Sequence, residues 1–311
     1  MSYLGRGTDG LFGLRSKKNR QNQKARENVA VTKKLVSTKT DSNFAVTLSN
    51  YQHIGARQNQ EDAFALSDLS NKNLVAESGV LALVADGMGG LALGEDASRV
   101  AVQVFMREYF RKETSIPIPQ RLEEALIASN TAVYDAALKD GEEHELGTTI
   151  VAVLIHERKL YWLSVGDSRI YHLRNNHINL LTSDHTYQNQ LLKDVENGLI
   201  SLDEAYNHPE GAYLTSFLGL PVLPDVDRND KPLFLEPGDQ VLLCSDGLYN
   251  TLSEEEIRKA LLGSSGGSAE NLIKEALSRK MQYQDNITVV LLTCKMAGNI
   301  MKRDDVNEKK E

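Results

Sequence analysis

The chain has little cysteine, little proline and no long apolar run. Its 311 residues include 2 Cys, 7 Pro and 1 Trp. Cys244 and Cys294, each inside an apolar run, are too few for a disulfide scaffold or a cysteine-rich zinc site. Both are expected to be buried and reduced, which suits a reducing compartment. No apolar stretch approaches the ~20 residues that cross a bilayer, and no apolar core precedes the basic residues of the N-terminus. A cytoplasmic, soluble protein without a membrane span is expected, and a monomer. Three nucleotide- and acyl-transfer signatures are also missing: a Gly-x-x-x-x-Gly-Lys-Ser/Thr loop, a Gly-x-Ser-x-Gly elbow and a dinucleotide fingerprint. The 7 histidines show no metal-ligand spacing, and a surface role is expected even for His185, the one nearest to plausible chemistry.

What the chain does have is 41% apolar residues, enough for a sizeable core, and an uneven charge. The formal charge is −8, yet residues 1–40 hold ten Lys/Arg against only Asp9 and Glu27, so the remainder carries about −16. So acidic a body argues against nucleic-acid binding. Residues 1–43 are polar and basic without a sustained apolar period, and are expected to be a disordered tail. Residues 44–295 read as one continuous globular domain, and 296–311 as a second polar tail.

Within that domain the apolar runs predict strands at Phe44–Ser49, Asp62–Ser67, Gly79–Ala85, Thr148–His156, Lys159–Val165, Ser168–Arg174, Gln240–Ser245 and Ile287–Cys294. His156–Lys159 and Gly166-Asp167 read as hairpin connections. Apolar stripes at helical spacing mark Glu95–Lys112 and Gln120–Lys139. Ser253 with Glu256 forms a capping box that opens a helix ending at Gly263, and Ser268 starts another over Ala269–Lys280. Helix pairs between groups of strands predict antiparallel sheets covered by helices. Residues 184–232 are polar and hold only short helical pieces, at Tyr187–Glu196 and Leu202–Tyr206; such an insertion is often mobile and functional.

The informative pattern is where the aspartates fall. Val80–Ala85 runs into Asp86-Gly87-Met88-Gly89-Gly90, Leu160–Val165 into Gly166-Asp167-Ser168, and Gln240–Ser245 into Asp246-Gly247, while Asp285-Asn286 precedes Ile287–Leu292. One Asp-Gly is commonly a turn. Four such aspartates, all beside apolar strands, are not four independent turns. Carboxylates gathered at rigid strand ends can hold a hard cation through oxygen, and such a set suits magnesium or manganese better than zinc. The Gly87 carbonyl could add an oxygen ligand. Arg57-Gln58-Asn59-Gln60-Glu61-Asp62 reads either as a surface loop or as a guanidinium held near that site, ready to grip phosphate.

Taken in order, seven motifs resemble the metal-dependent protein serine/threonine phosphatases (the PPM, or type 2C, family) of the bacterial style. They are Arg57-x-x-x-Glu61-Asp62, Val84–Gly90, Gly147-Thr148-Thr149, Val165–Arg169, Leu181–Thr186, Leu243–Leu248 and Asp285–Val289. The resemblance implies an α+β fold: a four-layer α-β-β-α sandwich, two antiparallel sheets flanked by helices. It implies two Mn2+ or Mg2+ ions, with Asp86 bridging both and holding the water between them, the Gly87 carbonyl on one, and Asp246 and Asp285 on the other. Glu61 and Asp62 would support this centre. Asp167 would help hold a possible third, weaker ion, Arg57 would bind phosphate, and residues 184–232 would be the flap beside the site. The implied partners are phosphorylated protein substrates and a Ser/Thr protein kinase whose work the chain reverses.

One position departs from many eukaryotic members, which carry histidine after the Asp-Gly. Here it is Met88, which donates no proton, so water in the site is the first candidate acid and His185 the second. The competing reading is a pseudophosphatase, the same sandwich used as a binding module. Retention of Asp86, Asp246 and Asp285 argues against it, because a scaffold has no need of a costly cluster of like charges.

Overall fold

The structure, a computed structural model, describes residues 38–41, 44–88, 93–140, 146–263 and 267–296. In chain order the elements are β1 (Thr38–Asp41), β2 (Phe44–His53), β3 (Asp62–Leu66), α1 (Lys72–Ser78), β4 (Val80–Met88), α2 (Leu93–Arg111), α3 (Ile118–Asp140), β5 (Gly147–Thr148), β6 (Ile150–His156), β7 (Lys159–Val165), β8 (Arg169–Arg174) and β9 (His177–Leu180). They continue with α4 (Tyr187–Glu196), α5 (Leu202–Tyr206), β10 (Asp227–Arg228), β11 (Leu233–Phe234), β12 (Gln240–Cys244), α6 (Asp246–Tyr249), α7 (Glu254–Leu262), α8 (Ala269–Ser278) and β13 (Ile287–Met296). One sheet runs β1-β2-β13-β12-β8-β9; the other runs β10-β7-β6-β4-β3, with β11 on β7 and β5 on β4. Every pairing is antiparallel.

Alternation explains why the strands read as unbroken apolar runs. In β4, Val80, Ala82 and Val84 point into the space between the sheets and meet Val151, Val153, Val241, Val290 and Leu292. Leu81, Leu83 and Ala85 point the other way, onto Ala97, Ala101 and Phe105 of α2 and Leu122 and Leu126 of α3. The first sheet does the same: Leu242, Cys244, Val289 and Leu291 pack on Ile257 and Leu261 of α7 and on Leu272 and Ile273 of α8. Both faces of each sheet are therefore covered, which gives the four-layer sandwich. Leu83 is fully buried, and truncating it to alanine would cost about 2–5 kcal/mol.

Local signals translate directly into structure. Ser253 and Glu256 make the reciprocal capping box of α7, and Ser268 caps α8. Glu157 and Arg158 both take positive φ in the tight turn between β6 and β7. Cys244 and Cys294 are buried and free.

Four expectations are corrected. The last residues of the expected tail are not unstructured: Thr38–Asp41 form an edge strand on Phe44–Val46. The rest of that tail, residues 1–37, and the expected C-terminal tail from residue 297 lie outside the described residues. Gly166-Asp167 is not a hairpin, since β7 and β8 belong to different sheets and this turn carries the chain across the sandwich. Asp86 does not end its strand, because β4 continues to Met88 and pairs there with β5. Residues 184–232 are more than an insertion between core strands: they return to the second sheet through β10, whose Asp227 and Arg228 pair with Ser164 and Leu163.

Candidate active site

The strand order brings the separated aspartates to one end of the sandwich. Asp62 opens β3 and sits opposite Asp86 in the β3–β4 ladder. Asp167 lies in the crossover after β7, Asp246 begins α6 two positions after β12, and Asp285 stands two positions before β13. Arg57, in the loop after β2, places a guanidinium nitrogen 2.5 Å from Asp285 Oδ2. Together with Glu61, Gly87, Met88, Thr149 and Leu214 they line a cleft of about 650 Å³; Asp62 is not in its wall but buried behind it. Leu214 comes from the 184–232 segment, so that segment borders the cleft. Gly89 and Gly90 lie outside the described residues.

The cleft walls are fixed by close backbone approach and by buried amides. A Cβ on Gly87 would stand 2.0 Å from the Gly94 carbonyl oxygen and 2.6 Å from that of Glu61, so only glycine lets α2 begin beside β4. The Gly87 N–H donates to the Glu61 carbonyl at 3.1 Å. Asn286 ties the Arg57 loop to β13: its Nδ2 donates to the carbonyls of Ile54 (2.8 Å) and Asn59 (3.0 Å), and its Oδ1 accepts the Glu61 N–H at 2.7 Å. Thr149 Oγ1 accepts the Asp86 N–H at 2.9 Å, and Thr148 Oγ1 donates to the Asp86 carbonyl at 2.9 Å. Asn286, Thr148 and Thr149 stood inside the quoted motifs, but their positioning parts were not read from them. Asn286 follows Asp285 directly, the only sequence signal it offered.

The electrostatics are those of a site crowded with one sign of charge. Burial pushes the Asp62 carboxyl up to about 6, against hydrogen bonds from Thr288 and Ser245, the latter donating its Oγ–H to Oδ2 at 2.7 Å. Burial and the repulsion of Asp167 and Asp285 push Asp246 up to about 7. Asp86 is also raised well above the usual carboxylate range, first by burial and then by Asp62 and Asp246. Burial also raises Glu61 and Asp167. The nearest cations are already engaged: Arg57 with Asp285, and Arg169 with Asp184 through two hydrogen bonds of 3.0 and 2.6 Å. Asp62 Oδ1 is buried without a hydrogen-bond partner.

An unpartnered buried carboxylate oxygen amid like charges calls for a cation, and an all-oxygen donor set fits a hard one. Asp86, the Gly87 carbonyl, Asp246 and Asp285 could hold it, with Asp167, Glu61 and Asp62 around them. Among the described residues no three His, Cys, Asp or Glu side chains converge closely enough to enclose an ion as they stand. The carboxylates line one cleft without closing on a point, so water would have to complete the shell of an ion held there.

His185 is not the surface residue the sequence suggested. It is buried, and its Nδ1 accepts the Gly166 N–H at 3.1 Å behind the Asp167 turn. Burial lowers its pKa, and it lines a separate small cavity with Asp184 and Asp227 instead of the cleft.

Residues 50–283 match the family model described as protein phosphatase 2C, which covers well over half of the chain. The chain belongs to the protein phosphatase 2C family. The match takes in Arg57, Glu61, Asp62, Asp86, Asp167 and Asp246 and stops two residues short of Asp285. This phosphatase is 32% identical to the serine/threonine phosphatase stp of Listeria welshimeri, over 68% of its own length and 83% of that protein's. Among solved structures it resembles the Streptococcus agalactiae serine/threonine phosphatase, at a TM-score of 0.67 and 30% identity, covering 80% of this chain and 99% of that one. It also resembles the catalytic domain of the phosphatase PstP in complex with two manganese ions, at a TM-score of 0.64 and 29% identity, covering 81% and 99%. Membership makes the chain a serine/threonine protein phosphatase, a phosphoric monoester hydrolase with the two-sheet sandwich of that family. Among the described residues no helix is long and apolar enough to cross a membrane.

Proposed function

We propose that this phosphatase removes phosphate from phosphoserine and phosphothreonine in proteins at the carboxylate cleft, and that it reverses the work of a Ser/Thr protein kinase. The observation that carries the reading is the convergence of Asp86, Asp167, Asp246 and Asp285 with Arg57 on one open cleft, although they come from five separate segments. The catalytic domain is taken as residues 44–295, with residues 184–232 as its flap.

Phosphate monoester dianions repel nucleophiles, and their uncatalysed hydrolysis is among the slowest known. Two Mn2+ or Mg2+ ions, when bound, supply Lewis-acid neutralisation of phosphoryl oxygens and lower the pKa of water. In this reading Asp86 would serve both ions, the Gly87 carbonyl one of them, and Asp246 and Asp285 the other. Glu61 would support that centre from the cleft wall and Asp62 from behind that wall, and Asp167 would serve a third, weaker ion. Arg57 is exposed and parked on Asp285, so its fork can transfer to the substrate phosphate, orienting it for in-line attack by water. Met88 lines the cleft where a proton donor would otherwise stand, and His185 uses its Nδ1 lone pair on Gly166. The leaving alkoxide therefore takes its proton from solvent in the cleft.

Phosphate release from matched phosphothreonine and phosphotyrosine peptides with Mn2+ tests this. Turnover of the phosphothreonine peptide is expected; preference for phosphotyrosine would refute the assignment. A binding module without turnover has less support, because its cleft would retain the repulsion of Asp62, Asp86 and Asp246 with no gain.

A further inference from the structure

We infer that Tyr249 is a positioning residue for Asp167, and that it sets how tightly the Asp167 side of the cleft holds its ion. The inference rests on the proposed role of Asp167 as an ion ligand. Tyr249 closes the one-turn helix α6, whose first residue is Asp246. Its hydroxyl lies 3.0 Å from the Asp167 main-chain carbonyl oxygen and 3.2 Å from Asp167 Oδ2, and donates its single proton between them. One turn of helix thus carries Asp246 into the cleft at one end and grips Asp167 at the other. The two carboxylates repel each other, and the hydroxyl opposes the outward swing of the Asp167 side chain, while His185 holds the backbone of the turn at Gly166.

The ring that carries this hydroxyl is itself held. The Arg169 guanidinium lies over it, 3.7 Å from the centroid. Arg169 is fixed in turn by its two hydrogen bonds to Asp184 and by one to Tyr171 Oη at 3.2 Å. Asp184 opens the flap segment, and Asn189 of α4 donates to its carbonyl at 2.7 Å. The clamp on Tyr249 is therefore built at the root of the flap, and the stacked guanidinium opposes a swing of the whole side chain about Cα–Cβ, the motion that would carry the hydroxyl off Asp167. A donor fixed on a ligand in this way orients it, and loss of such a partner weakens metal affinity by about 10–100-fold in known sites.

The test compares the full-length wild type with Tyr249→Phe, Asp167→Ala and the double variant. Phenylalanine keeps the ring under Arg169 and removes only the hydroxyl. Mn2+ binding is followed by calorimetry, the Mn2+ concentration for half-maximal turnover is read on a phosphothreonine peptide, and melting is measured in chelator. For Tyr249→Phe we expect weaker binding of the last ion, by about tenfold, with a matching rise in half-saturating Mn2+. The peptide KM at saturating Mn2+ and the melting point in chelator should scarcely move. In the Asp167→Ala background the same change should add nothing. Wild-type Mn2+ binding in Tyr249→Phe, beside a clear loss in Asp167→Ala, would overturn the inference while leaving Asp167 as a ligand. Wild-type binding in Asp167→Ala would overturn both. A fall in the chelator melting point with unchanged Mn2+ affinity would show the hydroxyl to be structural only, and would also overturn it.

Discussion

Asp62, buried, faces Asp86, half-buried in the cleft wall, directly across the β3–β4 ladder. Opposite residues of an antiparallel pair hold their Cβ atoms only ~4.5–5.5 Å apart, a spacing at which like charges destabilise the sheet. The fold thus builds repulsion into its most rigid part, and the cleft beside it adds Asp167, Asp246 and Asp285.

The first consequence concerns pH. A carboxyl whose native pKa lies above its unfolded value binds more protons folded than unfolded, so stability falls as pH rises through that interval. Here the interval runs from the ordinary value of 3.8 to about 6 for Asp62 and about 7 for Asp246, and Asp86 is shifted in the same direction. In chelator the melting temperature should therefore drop between pH 5 and pH 8. With excess Mn2+ the trend should reverse, because ions bind the deprotonated carboxylates. A flat chelator profile would contradict the raised pKa values.

Metal should also stabilise the protein outright. A ligand that binds only the folded state at a hundredfold excess over its Kd contributes about 2.7 kcal/mol, roughly 5 °C or more in melting temperature. Melts in chelator and in millimolar Mn2+ at pH 7.5 measure this, and an unchanged midpoint would count against an ion site in the cleft.

Much of this arrangement was legible in the sequence because it is local. The capping box of Ser253 and Glu256, the cap Ser268 and the apolar runs bounded by aspartate all depend on residues a few places apart. What was missed depends on distant partners. Nothing around Gly166-Asp167 says whether β8 pairs with β7 or crosses to the other sheet, since a tight turn at a positive-φ glycine serves both. Strands of two residues, such as β10 and β11, are too short to show a period. The work of Asn286 spans more than 220 residues, from β13 to the loop before β3. His185 looked exposed because its neighbours are polar, yet the Gly166 N–H draws it inward.

Ligand substitutions should rank. Asp86→Ala and Asp246→Ala are expected to abolish turnover, whereas Asp167→Ala should lower it by about tenfold at moderate Mn2+ and recover as Mn2+ is raised. Steady-state rates across a Mn2+ series give the ranking; equal residual activity in all three variants would overturn it.

Arg57 should act on substrate more than on the fold. It is largely exposed and its partner Asp285 lies in the cleft, so Arg57→Ala removes charge-assisted hydrogen bonds to phosphate. Such bonds are worth about 1.5–3 kcal/mol, which corresponds to a loss of about 10–100-fold in kcat/KM. Arg57→Lys should recover only part of it, because an ammonium lacks the fork. Lysine restoring full activity would show that the charge alone suffices.

The basic N-terminal segment offers a separate test. Shortened chains beginning at Thr38 and at Phe44 differ only in β1. The first should turn over a small phosphopeptide at the full-length rate, with its salt dependence altered on an acidic protein substrate. The second exposes the edge of β2 and should melt lower. A large rise in peptide turnover on removing residues 1–37 would instead reveal an autoinhibitory segment.

The most direct measurement is phosphate release from a phosphothreonine peptide by the wild type and by Asp86→Ala, each in Mn2+, in Mg2+ and in chelator. The account predicts turnover only by the wild type and only with metal. Wild-type turnover that persists in chelator, or an Asp86→Ala variant as active as the wild type, would contradict it.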